Sequence, residues 1–172
     1  MSTNLTFRNL RDTSEVHAAH ALEAANYPAS EAASLPTTLY RFTHAPHLFL
    51  GAFSSPQNQL LGYIMSTQSA SPLVTHESME THDPEGSTVC IHSVCVARGM
   101  QRLGVASRLL REYTEGMGRY NEGMGGGRRI GRLALLSRET LVPLYERAGY
   151  RSLGPSNVVH GEEKWYDCVL DL

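Results

Sequence analysis

Cys90-Ile91-His92-Ser93-Val94-Cys95-Val96-Ala97-Arg98-Gly99-Met100-Gln101-Arg102-Leu103-Gly104-Val105-Ala106-Ser107 is the stretch whose reading decides the fold. Its first half belongs to the best strand in the chain, predicted over Ser87 to Val96. A tight turn of small residues follows, and then an amphipathic helix is expected from about Gly104 to Glu115. Val105, Leu109, Leu110 and Tyr113 should lie on or near its buried face. A strand that turns sharply into a helix aims backbone N–H groups and the positive end of the helix dipole at one spot, which suits a phosphate group. Gly104 and Ala106 leave room for close approach, and Arg102, Arg108 and Arg111 add positive charge nearby. No Gly-Lys-Ser/Thr follows, so this is not a Walker A loop, and the spacing does not fit G-x-G-x-x-G.

Upstream of this stretch, Leu5 to Leu10 reads as a first strand. Asp12 with Glu15 three residues later is a capping-box-like helix start, and Val16, Ala19, Leu22 and Ala24 give the helix an apolar stripe. Tyr27-Pro28 ends it, because the residue before proline is pushed out of helical space. A second helical segment covers about Pro36 to Thr43. Leu48 to Phe53 and Gln59 to Thr67 form a hairpin around Ser54-Ser55-Pro56-Gln57-Asn58. Gln68 to Gly86 reads as a long polar loop.

Downstream, Gly116 to Gly127 is glycine-dense and expected to be mobile. Ile130 to Leu136 is a strand, and Thr140 to Ala148 a short helix closed by Gly149. Tyr150 to Leu153 and Lys164 to Leu170 are two final strands. The order β-α-α-β-β-β-α-β-α-β-β predicts a mixed α/β sheet of about seven strands with four helices. With 172 residues and no linker or repeat, a single domain over residues 1–172 is expected.

Composition narrows the function. Hydrophobic residues make up 41% and the formal net charge is −2, which argues against nucleic acid as a partner. Three cysteines, Cys90, Cys95 and Cys168, are an odd number without a zinc-type C-x-x-C pair, so a reducing, cytoplasmic compartment is expected. The first residues lack a signal peptide's basic start and apolar run, and no stretch is long enough to span a membrane. The pairs His17 with His20 and His44 with His47 have metal-like spacing, but no carboxylate or cysteine completes a site, so no metal is expected.

Gln101-Arg102-Leu103-Gly104-Val105-Ala106 matches the signature Gln/Arg-x-x-Gly-x-Gly/Ala, between an apolar strand and an amphipathic helix. Here the chain resembles the GNAT acetyltransferases. More narrowly it is similar to the serotonin (arylalkylamine) N-acetyltransferase family, as a fungal-type member. The resemblance is strongest over Thr75-His76-Glu77-Ser78 through Pro84-Glu85-Gly86, over Ile91 to Leu110, and over Leu141 to Tyr150 with Gly154-Pro155.

The resemblance implies a sheet whose central strands splay to hold acetyl-CoA as co-substrate. It implies that the backbone of Val94, Cys95 and Val96 pairs with the pantetheine arm, and that Gln101, Arg102, Leu103, Gly104, Val105, Ala106 and Ser107 hold the pyrophosphate. It implies that His92 helps remove the amine proton and that Tyr145 protonates the departing thiolate. Leu136, with Tyr27 and Pro28 after the first helix, would border the amine. The family's vertebrate members carry a second histidine two residues before the first; here that position is Cys90, on the same strand face as His92.

The chemistry asks for these residue types. An amine with a pKa near ~10 is almost wholly protonated at neutral pH, and histidine is the side chain suited to accept its proton. A strand N–H such as that of Val94 can stabilise the oxyanion, and a phenol can protonate the leaving thiolate. Acids in the loop and the final hairpin, Glu77, Glu80, Asp83, Glu85, Glu162, Glu163 and Asp167, would attract a cation. The resemblance implies as acceptor the primary amine of a small molecule, an arylalkylamine such as serotonin or tryptamine, or a polyamine, and the acids tilt this toward a broad amine range that includes polyamines. The expected protein is a monomer with no nucleic-acid or membrane partner, beginning and ending close to the fold. A non-catalytic acyl-CoA-binding module and a protein lysine or N-terminal acetyltransferase stay open as alternatives.

Overall fold

The structure is a computed structural model and describes residues 4–125, 127 and 129–172. Its elements run β1 (Leu5–Asn9), α1 (Thr13–Asn26), α2 (Leu35–His44), β2 (Phe49–Ser54), β3 (Leu60–Ser69), α3 (His76–Glu80), β4 (Thr88–Val96), α4 (Val105–Gly123), β5 (Arg132–Arg138), α5 (Val142–Arg147), β6 (Arg151–Pro155) and β7 (Trp165–Asp171). The seven strands form one sheet in the order β1-β2-β3-β4-β5-β7-β6. No helix among the described residues is long and apolar enough to cross a membrane.

Two compact units divide the chain, residues 1–65 with 93–113, and residues 66–92 with 114–172. In the first, β1 and β2 pair antiparallel from Leu5↔Ser54 to Asn9↔Leu50, and β2 pairs with β3 in the expected hairpin. The Asp12 side chain caps α1 by accepting from Glu15 N, and Tyr27 stands just past its end. The core of this unit gathers Leu10, Val16, Ala19, Phe49, Phe53, Tyr63, Met65 and Cys95. The buried stripe of α1 is Val16, Ala19 and Glu23, and Ala24 is exposed. Glu23 follows Val16 by seven residues and Ala19 by four, which sets it on the same helix face.

In the second unit, β4 pairs parallel with β5 from Thr88↔Arg132 to Ile91↔Leu135. Strand β5 pairs antiparallel with β7 along its whole length, and β7 carries β6. A buried cluster of Val74, Cys90, Ala134 and Val169 packs with Leu73, Met79 and Leu136.

Two expectations are corrected. The segment Gln68 to Gly86 is not irregular throughout: it contains α3, a fifth helix, started by a capping box between Thr75 and Ser78. The glycine-dense stretch is helical as far as Gly123, because α4 runs to that residue and buries Met117 one turn beyond Tyr113. The side chain of Asn121 then bonds the backbone N–H and C=O of Ile130. Gly126 and Arg128 lie outside the described residues.

Candidate active site

The turn between β4 and α4 has the backbone of an anion cradle. Arg102 has φ 63° and Gly104 φ 79°, so left-handed residues alternate just before the helix begins at Val105. Such alternation turns successive N–H groups toward one concavity, a nest. Leu103 is exposed at its tip, Val105 is buried under it, and Ala106 and Ser107 open the first turn of α4. Gln101 braces the approach: its amide Nε2 donates to Val96 O at 3.1 Å and to Asn26 Oδ1 at 2.9 Å. Of the neighbouring arginines, Arg108 lies over the Phe7 ring at 4.9 Å and Arg111 faces Glu112.

Along β4 the burial alternates. Ile91, Ser93 and Cys95 are buried, whereas His92 and Val94 are partly open. The Val94 carbonyl accepts from the Tyr27 hydroxyl at 3.0 Å, which fixes the residues after α1, with the exposed Pro28, beside the strand. Behind this strand lies a charged group that sequence patterning missed. Glu23 is 4% exposed, and its carboxylate accepts from the Tyr63 and Ser93 hydroxyls and from Ala33 N. Arg41, 5% exposed, is lowered to about 10, chiefly by burial, with Glu23 and Tyr63 opposing the drop. Burial first and Glu23 second push the Cys95 thiol up to about 12, and the Tyr63 phenol well above its ordinary value. The one readable signal was a glutamate at a core-facing position of an amphipathic helix.

In the second unit, the hydrogen bonds assign the tautomer of His92. Thr67 Oγ1 donates to Ser78 O at 2.8 Å and lies 2.7 Å from His92 Nε2. A hydroxyl has one proton to give, so Thr67 accepts from Nε2–H, and in the neutral imidazole Nδ1 is then the nitrogen that carries the lone pair. The support extends into the loop, where Gln68 N donates to His82 Nδ1 and Gln68 Nε2 holds the carbonyls of Pro84 and Gly86. Thr67 was not singled out from the sequence. Nothing in the chain marks it until β3 is set beside α3.

Sheet register sorts the remaining residues by face. Cross-strand partners share a face, and so do residues two apart on a strand. Cys90 opposes Ala134, Ala134 opposes Val169, and Leu136 opposes Asp167, so these residues and His92 occupy one face. Ile91, Leu135 and Cys168 point to the other. Tyr145 belongs with that second face: it is buried, and its phenol is raised by burial first and by Cys168 second. It also packs edge-on against Tyr150 at 5.9 Å. Cys90 is fully buried in the apolar cluster and its thiol is pushed up to about 11 by burial, so it stays neutral and packs as a small hydrophobe. The β4–β5 register ends at Ile91↔Leu135, one residue before His92 and Leu136.

His17 and His20 lie on α1, and His44 bonds the Tyr40 carbonyl at 2.8 Å.

Comparison with known proteins agrees with this architecture. The profile of the Acetyltransferase (GNAT) family matches residues 16–150. Serotonin N-acetyltransferase of Mesocricetus auratus is 31% identical over 130 residues, which cover 76% of this chain and 58% of that protein. The Homo sapiens serotonin N-acetyltransferase is 28% identical over 119 residues, 69% of this chain and 53% of that one. The chain thus spans little more than half the length of these curated relatives. Among solved structures, a chain of the NatC complex bound to Gag peptide and CoA superposes with TM-score 0.74 at 16% identity, covering 98% of this chain and 99% of that one. The GphF GNAT-like decarboxylase in complex with isobutyryl-CoA gives 0.73 at 18% identity, covering 96% and 98%. The structural likenesses carry the fold, the profile match carries the family, and this chain belongs to the GNAT acetyltransferase family.

Proposed function

We propose that this protein transfers acetyl from acetyl-CoA directly to the primary amine of a small molecule, an arylalkylamine or a polyamine, within a ternary complex. The observation that supports the reading is that His92 stands one residue past the end of the β4–β5 register, with Nε2 held by Thr67. Tyr145 supplies a buried phenol that keeps its proton and is influenced by Cys168 of the other sheet face.

A thioester lying at that level would meet the amine from the His92 side. His92 Nδ1 takes the ammonium proton, directly or through water, and frees the nitrogen lone pair. The N–C bond forms, the carbonyl becomes an oxyanion, and the Val94 N–H is the strand donor assigned to it. The carbonyl then re-forms as the C–S bond breaks, the nitrogen gives its second proton to water to leave the amide, and Tyr145 protonates the departing thiolate and regains a proton from solvent. No enzyme nucleophile takes part. Residues Gln101 to Ser107 hold the pyrophosphate through the nest and the start of α4, and Val94 to Val96 line the pantetheine arm.

The test is thiol release from acetyl-CoA with a panel of amines: tryptamine, serotonin, spermidine, a lysine peptide and a free N-terminal peptide. Turnover with small primary amines supports the proposal. Turnover confined to peptides, or acetyl-CoA binding without turnover, defeats it.

A further inference from the structure

We infer that Asp167 receives a second cationic nitrogen of the acceptor, which makes the acceptor a diamine or polyamine. The inference rests on the amine-transfer reading above and names the substrate class of that same site. Its starting point is the row formed on one sheet face by His92 on β4, Leu136 on β5 and Asp167 on β7. Asp167 is the direct antiparallel partner of Leu136, so the two side chains rise side by side from the same face. Leu136 is also the residue that would oppose His92 if the parallel register ran one step past Ile91↔Leu135. Proton acceptor, apolar floor and carboxylate thus follow one another across three strands. Leu136 and Asp167 are one strand spacing apart, roughly 5 Å at the backbone, and the unpaired step from Leu136 to His92 is at least as wide.

The carboxylate is unusual for its place. Asp167 is only 9% exposed, beside a face whose core is Val74, Cys90, Ala134 and Val169. Burial raises its carboxyl above the usual range, and the hydroxyl of Ser156 is the hydrogen-bond donor that opposes the rise. A neutral hydroxyl offsets only part of the cost of burying a charge, whereas an ammonium both bonds the carboxylate and cancels it. The acceptor chemistry that matches a polar–apolar–polar row is N–methylenes–N. One nitrogen is deprotonated at His92, the methylenes lie on Leu136, and the other nitrogen stays charged at Asp167. An arylalkylamine would offer Asp167 at most a neutral donor, which binds a carboxylate more weakly than a cation does.

The experiment compares cadaverine with n-hexylamine, chains of equal length in which the second amino group is replaced by a methyl group. It uses the wild-type protein and Asp167→Asn. Wild-type kcat/KM should favour cadaverine by about tenfold or more, the scale of one charge-assisted hydrogen bond. In Asp167→Asn that preference should collapse toward unity through a higher KM for cadaverine. Equal use of the two amines by the wild type, or a preference for tryptamine over both with an Asp167→Asn variant that behaves as wild type, overturns the inference and leaves amine transfer standing. The wild-type ratio alone decides the matter should the variant not fold. Absence of turnover with every small amine removes the amine-transfer reading, and this inference with it.

Discussion

His92 and Tyr145 show how single side chains gain their roles from partners. The Thr67 hydroxyl, already committed to Ser78 O, leaves His92 with Nε2–H and an acceptor Nδ1. Replacing His92 by alanine should shift the pH–rate profile of kcat/KM to higher pH, since the amine must then lose its proton unaided at a pKa near ~10. An unchanged profile would remove His92 from the proton path. Tyr145 is raised by burial, so its phenol keeps its proton at neutral pH. Tyr145→Phe should lower kcat while leaving the Kd for acetyl-CoA within about twofold, because a proton donor to the thiolate acts only as the C–S bond breaks. A parallel loss of affinity and turnover would make Tyr145 a packing residue, which its contact with Tyr150 already supports in part. Both residues were reached in the sequence through the resemblance, His92 in the strand–turn–helix stretch and Tyr145 in the separate stretch Leu141 to Tyr150. Glu23 was not. Its burial depends on Tyr63 and Ser93, which lie 40 and 70 residues away. Asp167 gains its meaning only from strand register.

At the scale of elements, alternation and capping were legible where neighbours reinforce them. Asp12 caps α1, and β4 ends at Val96, as the residues indicate. The glycines near residue 120 misled because local propensity was outweighed by burial: Tyr113 and Met117 hold α4 through Gly116 and Gly118. Two glycine substitutions separate the two kinds of position. A Cβ at Gly86 would sit 2.3 to 2.6 Å from the backbone C, O and N of Ser69, and the Gly86 carbonyl is held by Gln68. Gly86→Ala should therefore destabilise the fold by about 2–3 kcal/mol and disturb the segment that carries Ser78 toward Thr67. A Cβ at Gly118 meets nothing within 4 Å. Gly118→Ala should stabilise the fold by about 0.5–1 kcal/mol, because glycine in a helix interior costs that much relative to alanine. Urea midpoints for the two variants should move in opposite directions, and movement in the same direction would contradict this account.

For the whole molecule, the question is whether the two compact units behave as one domain. Strand β3 contributes Leu60 to Met65 to one unit and Ser66 to Ser69 to the other, and β4 is divided between His92 and Ser93. Losing either unit would therefore cut two strands in mid-course, which favours a single cooperative transition. The cysteines make this measurable. Cys95 belongs to the first unit, and Cys90 and Cys168 to the second. All three are buried and carry thiols raised by burial, to about 12 for Cys95 and about 11 for the other two. At pH 8 each is almost wholly a thiol and shielded from reagent, so labelling reports opening of the surrounding structure. In a urea series with a thiol-alkylating reagent and peptide mass spectrometry, the three sites should become labelled at one shared midpoint. A separate, earlier midpoint for Cys95 would mean that the unit bearing the turn between β4 and α4 opens independently of the unit bearing His92 and Tyr145.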